Sequence, residues 1–337
     1  MNFVINIPFI KIRVYQAQKR HWRFFNDLLF QDSIDGKNII TIDIFFEKIK
    51  SKTKYILEKD AISDGQNFFY QDVKGNKVTI NWSQLKVNYF KFIIDPNFDL
   101  YAFFTFILEP IFIILGAQNN ILFLHASGVV KKNQALIFPA WRNTGKTNTI
   151  LLECKRGSHF LGDDYVILKN KIAYLYPKAL NLFSYNFEAF PEVYKYLPLL
   201  TILKLKLGIK FKNFLHSLSQ SSNGYLSKTF YRLSELAEIA TNIRLNPKFL
   251  DIELLDKGPI TKITLLQKIP TGFKTIDRIT TSDFVNKNMA IITCELEDFW
   301  KIFTKYQFFY PRKKLPLLTS FPQKYANLLS KIYGQIN

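Results

Sequence analysis

The chain has 337 residues, of which 48% are hydrophobic, and a formal net charge of +19. That is enough apolar material for one elaborated domain or two modest ones without disulfides, and the two cysteines, Cys154 and Cys294, have no metal-ligand spacing. A disulfide-built scaffold and a zinc module are thereby excluded, and a reducing, cytoplasmic setting is expected. AT-rich coding accounts for part of the lysine excess; the rest suits an acidic partner such as nucleic acid, anionic lipid or an acidic peptide.

The first ten residues show no basic leader and no small-residue cleavage site, so no signal peptide is expected. Residues 3–14 alternate as one strand. Residues 68–82 read as a hairpin turning at Lys74-Gly75-Asn76, and residues 87–94 as a strand closed by Asp95-Pro96-Asn97. Residues 1–98 therefore form a β-rich unit without a catalytic constellation, fit for a lid, a platform or partner binding.

Residues 98–116 predict a buried helix. The apolar run is interrupted by Glu109-Pro110 and falls short of the roughly 20 residues that a membrane span needs. Residues 121–130, containing Leu124-His125-Ala126-Ser127-Gly128-Val129-Val130, predict a core strand. Residues 135–138 predict a second, buried strand, and residues 148–155 a helix stopped by Gly157. Between them lies Asn143-Thr144-Gly145-Lys146-Thr147. A loop from strand end to helix start aims backbone N–H groups and the positive end of the helix dipole at one spot, which suits a nucleotide phosphate. Lys146 adds a point charge at the outer phosphates, and Thr147 a hydroxyl ligand for Mg²⁺. The full phosphate-loop pattern has glycine where this chain has Ala140, which matters only if that backbone needs positive φ.

Phe160-Leu161-Gly162-Asp163-Asp164-Tyr165-Val166-Ile167-Leu168 places two adjacent carboxylates at the edge of an apolar run, costly unless positive charge is near. Neighbouring side chains on a strand face opposite ways, so one acid serves a metal and the other an incoming hydroxyl. Residues 172–182 continue the sheet after a turn at Lys169-Asn170-Lys171. Glu188 and Glu192 are the nearest candidates for a further metal-side carboxylate, although exposed helix acids fit them better.

Residues 193–245 predict a basic helical insertion. From 193 to 234 there is no acidic residue, while Lys195, Lys204, Lys206, Lys210, Lys212, Lys228 and Arg232 all fall there. A helix over 199–215 would meet an anionic partner or membrane surface, or else lay lysine stems over its own apolar surface; the second is the preferred expectation. Residues 217–224 read as a flexible loop, 233–241 as a helix opened by Ser234, and 262–268 as another core strand. Residues 276–284, 297–305 and 323–332 read as helices, with acids from Glu295 to Asp298 capping the second. Both cysteines read as small buried hydrophobes.

LHASGVV, the loop ending in GKT, the helix closed by Gly157 and FLGDDYVIL together resemble the HPr serine kinase/phosphorylase family. More broadly they resemble the P-loop proteins whose nucleotide fold is shared with phosphoenolpyruvate carboxykinase. The likeness covers about a fifth of the chain, residues 109–177. It implies an α/β fold: a P-loop core over 99–290, the β-rich unit over 1–98 and a helical part over 291–337. It also implies ATP and Mg²⁺ as cofactors, with Ala140, Asn143, Thr144, Gly145, Lys146, Thr147 and Asn148 around the nucleotide. Asp163 would be the base towards an acceptor serine with His125 close by, Lys146 would act on phosphate, and Thr147 and Asp164 would lie on the metal. Ala140 and Asn148 depart from the family pattern, and its later glycine-rich signature with a metal-ligating glutamate is absent, so sugar-transport regulation is not implied. The expected function is phosphoryl transfer to a hydroxyl of a peptide or protein. A catalytically silent ATP-binding switch is the alternative, and nucleic-acid binding ranks last because no reader motif occurs. A homo-oligomer is compatible with all of these.

Overall fold

The computed structural model describes residues 1–30, 38–50, 52–222, 224–268 and 279–336. The fold is mixed α/β, built on two large mixed sheets.

The N-terminal sheet starts with β1 (Phe3–Ile7) and β2 (Ile10–Tyr15), an antiparallel hairpin where one strand over 3–14 was predicted. The alternation runs on through the turn, so periodicity hides it. Pro8 precedes Phe9, whose φ of 71° lies in the left-handed region and reverses the chain. β2 then pairs in parallel with β3 (Ile40–Phe46). The remaining strands are β4 (Tyr55–Glu58), β5 (Ala61–Ser63), β6 (Phe68–Gln71), β7 (Lys77–Ile80) and β8 (Tyr89–Ile94), in the order β1-β2-β3-β8-β7-β6-β5-β4. The predicted hairpin is β6–β7. Asp72 holds its turn by accepting from the amides of Lys74 and Asn76 at 2.9 Å each.

The buried helix predicted over 98–116 is Leu100–Gln118, and it runs without a break through Glu109-Pro110. A π-helical turn, Phe104–Leu108, immediately precedes them and accommodates the proline's missing N–H within a continuous helix. By length and composition the helix could cross a membrane, but 72% of its most apolar stretch is buried inside the protein.

The second sheet carries the site. Its strands are β9 (Leu122–Leu124), β10 (Ala126–Lys131), β11 (Gln134–Pro139), β12 (His159–Gly162), β13 (Val166–Lys169) and β14 (Ile172–Tyr174), with β15 (Leu180–Leu182) and β16 (Ile243–Leu245) pairing separately and β17 (Lys257–Ile263) returning to the sheet. The order is β12-β10-β11-β17-β14-β13-β9. The single strand predicted over 121–130 breaks at His125. β9 pairs only with β13 at one edge, and β10 inserts between β12 and β11 near the other. His125 thus sits where the chain crosses the sheet. The strand predicted over 262–268 is β17, shifted earlier to pair in parallel with β11 and antiparallel with β14.

The insertion is a helical hairpin, Leu199–Ser221 and Gly224–Ala240, whose two helices pack on each other. The loop predicted over 217–224 is helix up to Ser221, and position 223 lies outside the described residues. Serine hydroxyls that favour loops are satisfied inside the helix: Ser219 Oγ donates to His216 O at 2.7 Å and Ser221 Oγ to Ser217 O at 3.0 Å. The helix predicted over 233–241 is the second half of a longer one.

Helices Thr281–Glu295, Glu297–Phe309 and Phe321–Gly334 complete the chain. The first was expected over 276–284; positions 276–278 lie outside the described residues, and Thr280 caps it by accepting from Asp283 N at 3.0 Å. It straddles position 290, where a boundary was expected. These helices join the two sheets. Tyr325 donates its hydroxyl to Phe123 O at 2.7 Å on the site sheet, while Phe299 and Tyr306 pack edge-on against Trp82 and Phe68 of the other unit. One apolar core runs from Ile5 to Tyr333.

Candidate functional site

The loop between β11 and helix Lys146–Lys155 runs from a strand end to a helix start. Asn143, at φ 56°, and Gly145, at φ 98°, take its left-handed positions. Ala140 is fully buried and is not left-handed, so alanine there carries no conformational cost. Thr144 Oγ1 closes the loop on Trp141 O at 2.8 Å. The helix has no side-chain cap and no acid in its first turn, leaving its positive end open at Gly145.

Lys146 is buried beneath the loop, its ammonium donating to the carbonyls of Ala140 at 3.2 Å and Trp141 at 3.3 Å. Burial lowers its pKa, opposed by Asp164 and Asp163. Thr147 Oγ1 donates to Asp163 Oδ2 at 2.8 Å, so the loop threonine and the Asp-Asp turn are directly joined.

Gly162 makes that turn possible: a Cβ there would collide with the carbonyl of Tyr165. Asp164 adopts φ 65°, and its carbonyl is pinned by Ala126 N at 3.1 Å. The two carboxylates consequently have different surroundings. Asp163 is buried, and its Oδ1 has no hydrogen-bond partner among the described residues. Burial, with Asp164 alongside, pushes its pKa up to about 7. Asp164 is 38% exposed and lies 3.6 Å from the ammonium of Lys178. Despite desolvation, Lys178, His125 and Lys146 hold it below the ordinary carboxylate range.

His125 lies against Tyr165, with ring centroids 5.4 Å apart, and its Nε2 is 3.6 Å from Glu295 Oε1. Burial first, and Lys146 second, lower its pKa to about 4, so the ring is neutral at physiological pH.

Two clusters of the site were missed in the sequence, one around Lys178 and Glu109 and one around Glu295. Lys178 donates to Glu109 at 3.1 Å, and Tyr176 to the same carboxyl at 2.7 Å. Although burial opposes it, Glu109 and Asp164 keep Lys178 charged. A glutamate inside a 19-residue apolar helix was the available clue, since such a charge is tolerated only with a partner. Glu295, expected to cap the next helix, instead ends its own and turns into the site, where Arg142 grips it through two bonds of 2.7 and 3.1 Å.

These residues wall a cavity of about 600 Å³, open to Asn143, Thr144, Gly145, Lys146 and Thr147 on one side. Asp164, His125, Lys178 and Glu295 also line it. Its aromatic walls, Tyr101, Phe106, Phe183, Tyr185 and Phe299, offer apolar faces opposite the charges. Asp163 lies behind this wall. Ala140 and Asn148 do not line it, and Asn148 accepts from Asn186 at 2.7 Å. Glu188 is exposed and Glu192 pairs with Lys155 at the far end of the helix, 2.6 Å away, so neither reaches the cavity. Both cysteines are half-buried rather than buried.

No protein-family model and no curated protein matches the chain. Among the described residues, no three His, Cys, Asp or Glu side chains converge as a metal cage. Mg²⁺ needs none, because it takes one or two protein oxygens and completes its shell with phosphate and water. Thr147, which lines the cavity, offers one such oxygen, and Asp163 behind it accepts that hydroxyl's hydrogen bond.

Proposed function

We propose that the chain binds ATP with Mg²⁺ and transfers the terminal phosphoryl group to a hydroxyl of a peptide or protein, as its resemblance to HPr serine kinases implies. The observation that carries this reading is the 2.8 Å bond joining Thr147 of the loop to Asp163 of the turn. It brings the phosphate loop and the acid pair to one place, next to the open end of a helix.

In this reading Lys146 leaves its loop carbonyls to meet the outer phosphates, and the exposed amides of the loop hold the rest. Mg²⁺, when bound, would neutralise phosphate charge. Thr147 offers it a hydroxyl that Asp163 orients from behind. Asp164, not Asp163, faces the cavity, so Asp164 is our candidate for receiving the acceptor hydroxyl, with Asp163 on the metal side. This exchanges the two roles that the resemblance implies. The bond from the outer phosphorus to the bridging oxygen breaks, one to the acceptor oxygen forms, and the hydroxyl proton passes to Asp164. Charge on the departing diphosphate is met by Lys146. Positioning and charge stabilisation supply most of the rate in such transfers.

A second reading, an ATP-binding switch without transfer, is favoured by one observation: Lys178 already sits 3.6 Å from Asp164. The two are separated by incubating the protein with γ-labelled ATP, Mg²⁺ and serine-containing acceptor peptides or a native extract. Label on a hydroxyl that disappears in Asp164→Asn supports transfer; binding of ATP without labelling supports the switch.

A further inference from the structure

The hairpin of residues 199–240 presents a surface that the proposed chemistry does not use. On its first helix Leu199, Leu200, Leu203, Leu207, Phe211 and Phe214 are all 55–81% exposed. At about 100° per residue they fall within an arc of about 120°. Leu205, Gly208, Leu215 and Ser219, on the face turned towards the second helix and the residues after it, lie about 135° round from the centre of that arc. The apolar stripe is therefore the outer face, and the expectation that lysine stems cover it is not met.

Lysines border it instead. Lys206 lies just outside one edge of the arc and Lys204 just outside the other, while Lys210 lies about 20° inside the first edge; all three are exposed. Lys212 points inward, where it pairs with Glu238 at 2.5 Å and donates to Ser184 at 2.7 Å. The second helix repeats the pattern: Tyr225, Leu226, Leu233 and Leu236 are exposed on one arc, with Lys228 and Arg232 beside it. No acidic residue occurs from 193 to 234.

From this we infer that the hairpin is a docking surface for an anionic lipid bilayer, with its outer leucines and phenylalanines in the interface and its lysines at the headgroups. An apolar face rimmed by lysine is the composition that partitions into such an interface. A second copy of the chain is the poorer occupant, since pairing these faces would set lysine against lysine with Glu235 as the one exposed acid among the hairpin's described residues. Nor is a purely charge-bound polyanion sufficient, because it leaves the large apolar side chains in water. The anchor is mechanically joined to the cavity: Ser184, held by Glu238 and Lys212, opens the short helix that follows Phe183 and carries Tyr185, two of the cavity's walls.

The test is co-flotation with vesicles of phosphatidylcholine alone or mixed with phosphatidylglycerol. The full chain should partition onto the anionic vesicles and little onto the neutral ones, less so as salt rises. K204E/K206E/K210E should lower the partition coefficient by about 100-fold or more. L203S/L207S/F211S should lose binding even at low salt. Both variants alter exposed side chains only, so their melting temperatures should match the parent, which separates lost docking from lost folding. Equal or absent partitioning of the parent on both vesicles overturns the inference. So does retained, salt-sensitive binding by the serine variant, which would mean charge attraction to any polyanion, or a dimer that the serine variant dissociates.

Discussion

Thr147 donates its hydroxyl to Asp163 at 2.8 Å, from the first turn of the loop helix to the turn after β12. Two segments sixteen residues apart are thereby held in one geometry, and the two aspartates acquire separate jobs. Asp163→Asn should weaken the Mg²⁺ dependence of ATP binding, because the oxygen that orients Thr147 loses its charge. Asp164→Asn should leave ATP affinity near the parental value and reduce transfer by about 10²–10⁴-fold. Titrating Mg²⁺ at fixed ATP, together with the labelling assay, distinguishes them. The opposite assignment of effects would restore the order implied by the resemblance.

The buried carboxyl of Asp163 also predicts a pH dependence. Its folded pKa of about 7 lies above the ordinary 3.8 because of burial and then Asp164, so the folded state holds a proton that the unfolded state has released. The stability this contributes is present at low pH and is lost as pH rises through the interval between those values. His125, lowered to about 4, acts in the opposite sense below its ordinary 6.5 and is common to parent and variant. The melting temperature of Asp163→Asn relative to the parent should therefore be higher at pH 8 than at pH 5. A difference that does not change with pH would remove Asp163 as the titrating group.

Much of this site was legible in the sequence, for a physical reason. The loop needs a glycine or asparagine at each left-handed position, a lysine and a hydroxyl in fixed succession, and Asn143-Gly145-Lys146-Thr147 meets those demands within five residues. The Asp-Asp pair stood out because charge beside an apolar run requires compensation. What was not legible depends on contacts far apart in the chain. Glu295 reaches Arg142 across 153 positions and Lys178 reaches Glu109 across 69, and no local pattern carries such pairings. In the fold, the β1–β2 reversal was hidden because Phe9 continues the alternation while turning the chain. His125 likewise interrupts an unbroken apolar run. The hairpin's first helix was ended early in prediction because serines that usually mark loops bond back within it, and the second was begun late at Ser234, whose hydroxyl likewise donates back to Tyr231 O.

The buried Lys178 should be structurally demanding. Lys178→Met strands Glu109 and Asp164 without their cation and should cost about 3–5 kcal/mol, the usual penalty for breaking a buried pair. Adding Glu109→Gln should recover part of that loss. Denaturant unfolding of the single and double variants measures both, and additive losses would argue against the coupling.

Gly162→Ala should be tolerated poorly, since the new methyl would meet the Tyr165 carbonyl within the turn that sets both aspartates. A loss of about 1–3 kcal/mol is expected. Gly157→Ala, where a Cβ has open space but φ is 82°, should cost less than this. Thermal unfolding of the two variants side by side gives the comparison, and an equal cost would mean that the Asp163-Asp164 turn can relax.

The most direct measurement is calorimetric titration of ATP with Mg²⁺ into the parent and into Lys146→Ala. Lys146 contributes the one ammonium lodged on the loop's own carbonyls, at 3.2 and 3.3 Å, and it is the charge placed to turn towards phosphate. We predict saturable binding by the parent and a loss of at least about 100-fold in the variant, from removal of a charge-assisted contact made by a buried ammonium. Parental affinity in Lys146→Ala, or no binding by the folded parent, would contradict the phosphate-loop assignment.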